Sequence, residues 1–368
     1  MVKQPLYQKI IDELGQAIRN ETLKIGDKVP TVKEQCQHYK VSHITVLHAY
    51  AELEKSGLIM AQGKRFVVKS KTCSRNRPRQ NCIGLLVRPL WAYNERDVYF
   101  NEINFGIQDE CCVSGVHYLT PSSVRSLNYF DYLNPILQPD IERDALLIAD
   151  KVDAFLVDER LSDNFIANIM KRTGKPCIVV NRSTALPIDS VAPANEQMVN
   201  LLCSTALRYG YKKFIFCNSG FENNLNMMQR KMAIVKFLED HKIPETDYRM
   251  ILDATTLQLD VALAGLEQAW NDLGKQEKIA VISSSDSFAR DAERYFASQG
   301  VTLRKNIGVA GMDGVLLSGQ HPALTTVKTD AETLGRLAVR AFLNRMVNEC
   351  EGAKQLSPDP IFVYGETL

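Results

Sequence analysis

At 368 residues and 45% hydrophobic content, the chain has room for two or three domains with full cores, and no apolar run approaches the length of a membrane span. The net charge of +1 hides a split: residues 1–80 hold 15 Lys and Arg against 7 Asp and Glu, and the remaining 288 hold 29 against 36. A basic front on an acidic body fits nucleic-acid contact confined to the front, with strong salt dependence. The nine cysteines are odd in number and lack any CxxC spacing, so neither a zinc site, another metal site nor a disulfide framework is expected. Met1 to Pro5 runs straight into an amphipathic segment without a signal-peptide core, which predicts a cytoplasmic protein with no membrane association.

The first helix is expected over 6–19, with Leu6, Ile10, Leu14, Ala17 and Ile18 on one face. Thr31-Val32-Lys33-Glu34 has the form of a capping box and opens a second helix that ends near Tyr39-Lys40. Ser42 offers a new N-cap, and the helix after it stops at Gly57. Val46, Ala49 and Leu53 make its core stripe, leaving His43, Thr45, Leu47 and His48 largely off it. Leu58 to Val68 reads as a hairpin around the basic turn Gln62-Gly63-Lys64-Arg65. Two short helices and a wing predict a winged helix-turn-helix, whose second helix enters a major groove while Lys64 and Arg65 lie on phosphates. The candidate DNA-binding residues are Thr31, Lys33, Ser42, His43, Thr45, Leu47, His48, Lys64 and Arg65. Residues 69–81 are polar, with five basic residues, and are expected to be a tether.

The head carries the landmarks Pro5-Leu6-Tyr7, Ile25-Gly26-Asp27-Lys28-Val29-Pro30-Thr31, Val41-Ser42 and Leu53-Glu54-Lys55-Ser56-Gly57-Leu58-Ile59 in order. On these, residues 5–68 resemble the GntR-type winged helix. His43 and Leu47 stand where that family usually has arginines that commonly contact DNA, and Arg65 stands where it usually has a wing glycine. The resemblance therefore implies the fold and DNA binding, but not a transferable operator sequence.

From Cys82 the pattern changes to short apolar runs: 83–87, 116–119, 154–157, 177–180, 213–217, 279–282 and 307–311. Helical patterns at about 99–114, 163–173, 195–209, 225–241, 257–273, 286–299 and 331–348 separate most of them. Such alternation predicts a parallel α/β architecture, too long for one sheet and best divided into two doubly wound lobes. Ligands then bind beyond the carboxyl ends of the strands.

Val152-Asp153-Ala154, Gly174-Lys175-Pro176, Val179-Val180-Asn181-Arg182, Gly210-Tyr211-Lys212-Lys213-Phe214, Arg230 with Ala233, Ser285-Asp286, Val309-Ala310-Gly311-Met312-Asp313 and Leu324-Thr325-Thr326-Val327 follow in order. With Ile83-Gly84-Leu85-Leu86-Val87, they make residues 82–368 similar to the effector domain of LacI-type repressors, a type I periplasmic-binding-protein-like fold. The expected organisation is a winged helix over 1–70, a linker over 71–81 and an effector domain over 82–368. Lobe 1 is expected at about 82–192 and 323–347, and lobe 2 at about 193–322 and 348–368, with crossings near 192, 322 and 348.

The resemblance implies a homodimer on a near-palindromic double-stranded DNA operator, controlled by a small sugar or sugar derivative in the cleft, without a cofactor. Planar polar side chains and an aromatic face suit a sugar. The candidate effector-binding residues are Tyr99, Phe100, Asn181, Arg182, Asn195, Asn224, Arg230, Ser285, Asp286 and Asp313. Structural roles compete: Asp313 and Asp286 as caps, Arg182 in a salt bridge, Tyr99 and Phe100 as core. A sugar phosphate, sugar acid or nucleoside stays open as effector, and so does a co-activating ligand. No nucleophile elbow and no pyridoxal-type lysine motif is visible, so an enzyme-like body is the remote alternative and no enzyme is expected.

Overall fold

The computed structural model describes residues 6–19, 22–55, 57–63, 65–69, 80–88, 98–126, 138–218, 224–252, 258–314, 323–347 and 352–368. Lys64 and residues 71–79 of the expected linker lie outside this set, as do positions 322 and 348 of the expected crossings. Residues Met1–Arg79 fall in one compact unit, and Gln80–Met346 with Gly352–Leu368 in another.

In the first unit, helices α1 (Leu6–Arg19), α2 (Val32–Tyr39) and α3 (His43–Lys55) precede a hairpin of β1 (Ile59–Gln62) and β2 (Arg65–Val68). Its antiparallel register runs from Ile59 opposite Val68 to Gln62 opposite Arg65. Ile10, Leu14, Ile18, Val46, Ala49, Tyr50, Leu53 and Val68 form the core. Leu6, expected on the buried face, is about half exposed at the first residue of α1. The capping box forms: the Glu34 amide donates to Thr31 Oγ1 at 3.3 Å and the Thr31 amide to Glu34 Oε2 at 2.6 Å. That bonding lowers the Glu34 pKa, first through the Thr31 backbone amide. Lys40 adopts a left-handed conformation at the end of α2 and turns the chain into α3.

The second unit holds two six-stranded sheets. The first sheet uses β3 (Cys82–Leu86), β4 (His117–Leu119), β5 (Ala154–Val157), β6 (Cys177–Val180), β7 (Ser190–Val191) and β13 (Gln355–Leu356), all parallel, in the order β13-β7-β6-β5-β3-β4. The second uses β8 (Lys213–Cys217), β9 (Tyr248–Ile251), β10 (Ile279–Ser283), β11 (Ile307–Met312), β12 (Thr325–Thr329) and β14 (Pro360–Val363), in the order β14-β12-β11-β10-β8-β9. Only β14 among these runs antiparallel to its neighbour.

Helices cover both faces of each sheet, which explains the near-continuous apolar runs of the strands. In lobe 1, α4 (Val98–Ser114) and α11 (Ala331–Val347) cover one face, and α5 (Gln138–Ile148) and α6 (Asp163–Thr173) the other. In lobe 2, α7 (Asn195–Arg208) and α8 (Leu225–Asp240) lie opposite α9 (Leu259–Leu273) and α10 (Asp286–Ser298).

Two boundaries differ from expectation. β12 belongs to the second sheet, pairing Ala310 with Thr325, so the chain returns to lobe 1 only at Asp330, not near 322. β13 then pairs with β7 in the first sheet, so residues 355–356 belong to lobe 1 rather than lobe 2. A strand's own pattern does not say which sheet it joins; the pairing partner decides. Residues 80 and 81 of the expected linker are also part of the body. Gln80 Nε2 donates to the Asp150 carbonyl at 2.7 Å, and Asn81 Nδ2 to the Gly115 carbonyl at 2.6 Å.

Candidate functional site

The head presents the start of α3 to solvent. Ser42 caps it, accepting from the Thr45 amide at 3.3 Å, and its hydroxyl pairs with Thr45 Oγ1 at 2.8 Å. Val46, Ala49 and Tyr50 turn inward, leaving His43, Ile44, Leu47 and His48 exposed. His48 meets the Tyr7 ring edge-on at 4.7 Å between centroids. Lys33 on α2 and Arg65 on β2 are exposed, while the Thr31 hydroxyl is used by the cap. Ile44 is the residue the sequence reading missed. Its signal was available: it follows the Ser42 cap by two and lies off the Val46-Ala49-Leu53 stripe.

The second site lies where strands of both lobes end. Following β5, Asp158-Glu159-Arg160 is fully buried. Arg160 grips Asp158 with Nε at 2.5 Å and Nη2 at 2.6 Å, and its guanidinium sits 5.1 Å from the Phe100 ring centre. Burial pushes the Asp158 pKa upward, but the Arg160 charge together with hydrogen bonds from Arg160 and the Arg88 amide outweighs it, and the carboxyl titrates below its ordinary range. Val87, Phe100, Ile103, Asn104, Glu159 and Asn181 wall a pocket here of about 240 Å3, including the part open to solvent.

After β6, Asn181 adopts a left-handed conformation, φ 68°, which turns its side chain onto Glu159 Oε2 at 2.8 Å. Tyr99 donates its hydroxyl to Asn181 Oδ1 at 2.7 Å, and its ring meets Phe100 edge-on. Burial pushes the Tyr99 pKa far up, with Asp313 and Glu159 adding to it, so the phenol stays protonated and able to donate.

Lobe 2 contributes from α7, α8 and the ends of β10 and β11. Arg230 donates Nε to Asn195 Oδ1 at 2.9 Å, Nη2 to Asp313 Oδ1 at 2.6 Å, and Nη1 to the Ser284 carbonyl. Burial works against the guanidinium charge, but Asp313 outweighs it and holds the Arg230 pKa above its ordinary value. Asn195 also donates to Asn226 Oδ1 at 3.0 Å and Gln229 Oε1 at 2.8 Å.

Hydrogen bonds cross between the lobes. Asn226 Nδ2 donates to the Asn181 carbonyl at 2.8 Å and to Glu159 Oε2 at 3.3 Å, and Gln229 Nε2 donates to Ser183 Oγ at 2.7 Å. Tyr99, Phe100, Asn181, Asn195, Arg230 and Asp313 are thus brought together by the fold.

Four further candidates are engaged by the protein's own groups in this arrangement. Arg182 sends its donors to the Glu159, Leu161 and Ser183 carbonyls at 3.1, 2.6 and 2.8 Å and pairs with Asp163 at 2.7 Å, which stitches the lobe-1 corner. Asn224 caps α8, accepting from the Asn226 and Met227 amides. Ser285 caps α10. Asp286 turns into lobe 2, where it accepts from Thr326 Oγ1 at 2.6 Å and rests against Gly311, where any Cβ would fall 2.2 Å from its Oδ1. Side-chain direction decides these cases, at a helix start for Asn224, Ser285 and Asp286 and after β6 for Arg182, and sequence position alone does not report it.

Sequence reasoning missed Glu159, Asn226, Gln229 and Ser183. Glu159 was within reach, since it stands two residues past the end of a buried parallel strand. Asn226 and Gln229 had no such signal, because only the approach of the two lobes gives them partners.

Residues 6–68 match the model of bacterial regulatory proteins of the gntR family, and residues 205–368 match the periplasmic binding protein-like domain. The arabinose metabolism transcriptional repressor of Geobacillus stearothermophilus is 22% identical over 354 residues, covering 92% of this chain and 90% of that protein. A LacI family regulator from Enterococcus faecium, solved with bound ribose, superposes with a TM-score of 0.57 at 19% identity, over 78% of this chain and 98% of that one. The lac repressor dimer bound to operator and an anti-inducer gives 0.60 at 18%, over 80% and 96%. The chain therefore joins a gntR-type helix-turn-helix head to a periplasmic-binding-protein-like body with the fold seen in LacI family structures. Among the described residues no helix is long and apolar enough to cross a membrane.

Proposed function

We propose that this protein is a transcriptional repressor of carbohydrate catabolism genes, acting in the cytoplasm as a homodimer whose operator binding is controlled by a small sugar in the inter-lobe cleft. The observation that carries this reading is the convergence of Arg230, Asp313, Asn195, Asn181 and Tyr99 at the strand ends of two lobes that already bond across their gap. Arg230 offers a rigid fork of donors and Asp313 accepts from hydroxyls, while Phe100 supplies an apolar face. Nothing in the arrangement points to bond making or breaking, and the reading assigns the chain no catalysis.

Each head reads one half-site, since a two-fold dimer needs a two-fold operator. Ligand changes how the lobes meet, and by linkage DNA and ligand then weaken each other's binding by the same factor. A neutral sugar is favoured over a sugar acid or phosphate. Arg182 is committed to three carbonyls and Asp163, and Arg230 is matched by Asp313, so neither of these two arginines offers an unmatched charge to an anionic group.

A thermal-shift series over monosaccharides, headed by arabinose and ribose and set beside their acids and phosphates, tests this. A ligand at a hundred times its dissociation constant stabilises the fold by about 2.7 kcal/mol, which raises the melting temperature. A shift with a neutral sugar that Arg230→Ala abolishes is expected. Folded protein that responds to none of them removes the sugar from the proposal, and unchanged ligand affinity at saturating operator DNA removes the repressor mechanism.

A further inference from the structure

The exposed face at the start of α3 is apolar where a basic head would be expected to be basic. Ile44 is 78% exposed and Leu47 41%, one turn apart on the surface that Val46, Ala49 and Tyr50 leave outside. Neither supports the fold: both lie off the core, and a β-branched residue is a weaker choice than alanine for an exposed helix. The polar residues beside them are engaged. Ser42 and Thr45 bond each other, and His48 packs on Tyr7.

No Lys or Arg occurs between His43 and Glu54, so the first three turns of α3 hold no group for the two-pronged contact that reads guanine. The positive charge sits on neighbouring elements of the head instead, on Lys33 of α2, Lys40 between α2 and α3 and Arg65 of β2, all exposed. That division matches a duplex: cations for phosphates, an apolar pair for the groove floor. The one apolar group a base pair shows in the major groove is the thymine methyl.

We propose that Ile44 and Leu47 read thymine methyl groups, so that the operator half-site is specified by A·T pairs beneath the start of α3, with His43 as the polar neighbour. This rests on the reading of the head as a DNA-binding domain and names what that domain recognises.

The test begins with selection of random-sequence duplexes by the full chain, followed by replacement of each selected thymine with uracil, which removes the methyl alone. The expected half-site holds thymines at two or more fixed positions, and each critical uracil weakens binding about fourfold, the worth of one buried methyl-sized group. In Ile44→Ala the weakening at one position disappears while the selected sites still bind. The substitution is on an exposed helical surface and improves helix propensity, so the domain folds. Lys33→Ala serves as the comparison: it weakens binding to all sequences alike and lowers the salt dependence.

Half-sites fixed by G·C pairs, or thymine positions indifferent to uracil, overturn the proposal and leave the DNA-binding reading standing. Absence of any salt-dependent DNA binding overturns both. If Ile44→Ala leaves DNA affinity intact but lowers the mass seen in sedimentation, the patch belongs to a second copy of the chain and the proposal is wrong.

Discussion

Lobe 1 and lobe 2 each bring a buried arginine to the cleft, Arg182 at 3% exposure and Arg230 at 2%. Arg182 follows the end of β6, where polar groups face the ligand crevice, whereas Arg230 reaches it from within α8. Their partners differ. Arg182 is tied to backbone carbonyls of its own lobe and to Asp163, whose pKa the bonding pulls below the ordinary carboxylate range against the upward push of burial. Arg230 is tied mainly to side chains that can be exchanged for ligand hydroxyls. Carbonyls bonded in this way fix a corner; a carboxylate and an amide at a gap can be redirected. Burial and charge at the cleft therefore do not identify a ligand group. The mobility of its partners does.

The sharpest way to break this comparison is to remove each arginine in turn. Arg182→Ala leaves three carbonyls without their donor, and the lobe loses about 3–5 kcal/mol, estimated from the penalty for unsatisfied buried groups. Denaturant unfolding of the full chain would show it as a lowered midpoint. Arg230→Ala is expected to act mainly on binding. Asp313, with its side chain 24% exposed, rehydrates, and effector affinity falls about 100-fold, the value of a charged pair of hydrogen bonds. Arg230→Lys keeps the charge but not the fork and recovers only a small part. Were Arg182→Ala to abolish binding without lowering stability, the assignment of roles would be reversed.

A smaller effect separates the lobes by pH. Asp158 titrates below its ordinary value in the folded chain, so its stabilisation is complete above the usual aspartate range and is lost as pH falls through the depressed folded value. Asp158→Asn should flatten that acid limb of the stability curve, measured as unfolding midpoint against pH. The smallest effect concerns Asn224. As a cap, its replacement by alanine costs about 1 kcal/mol of stability and leaves effector affinity within about twofold. A tenfold loss of affinity in a calorimetric titration would restore it to the ligand set.

Much of this molecule is legible in its sequence for reasons that are local. The capping box at Thr31 and Glu34, the cap at Ser42, and the stripe of Val46, Ala49 and Leu53 depend on neighbours within a few turns, and they form as the spacing implies. The runs at 154–157, 177–180 and 213–217 are strands because buried parallel strands are apolar on both faces. α5 and β9 escaped because neither shows a clean period: Asp140, Arg143 and Asp144 interrupt the first, and the four residues of β9 at a sheet edge are only partly buried.

What only the tertiary structure decided is which polar side chains meet. Sequence placed Asn181 and Asp313 after strands, but Glu159 gains Asn226, and Ser183 gains Gln229, only because two lobes close on one another. The same holds for Thr325–Thr329, whose sheet is set by pairing with Ala310–Met312 rather than by its own residues. Local hydrogen bonds and periodic burial are written in short stretches of chain. The partner of a side chain at an interface is a property of the whole fold, since it depends on atoms brought from tens of residues away.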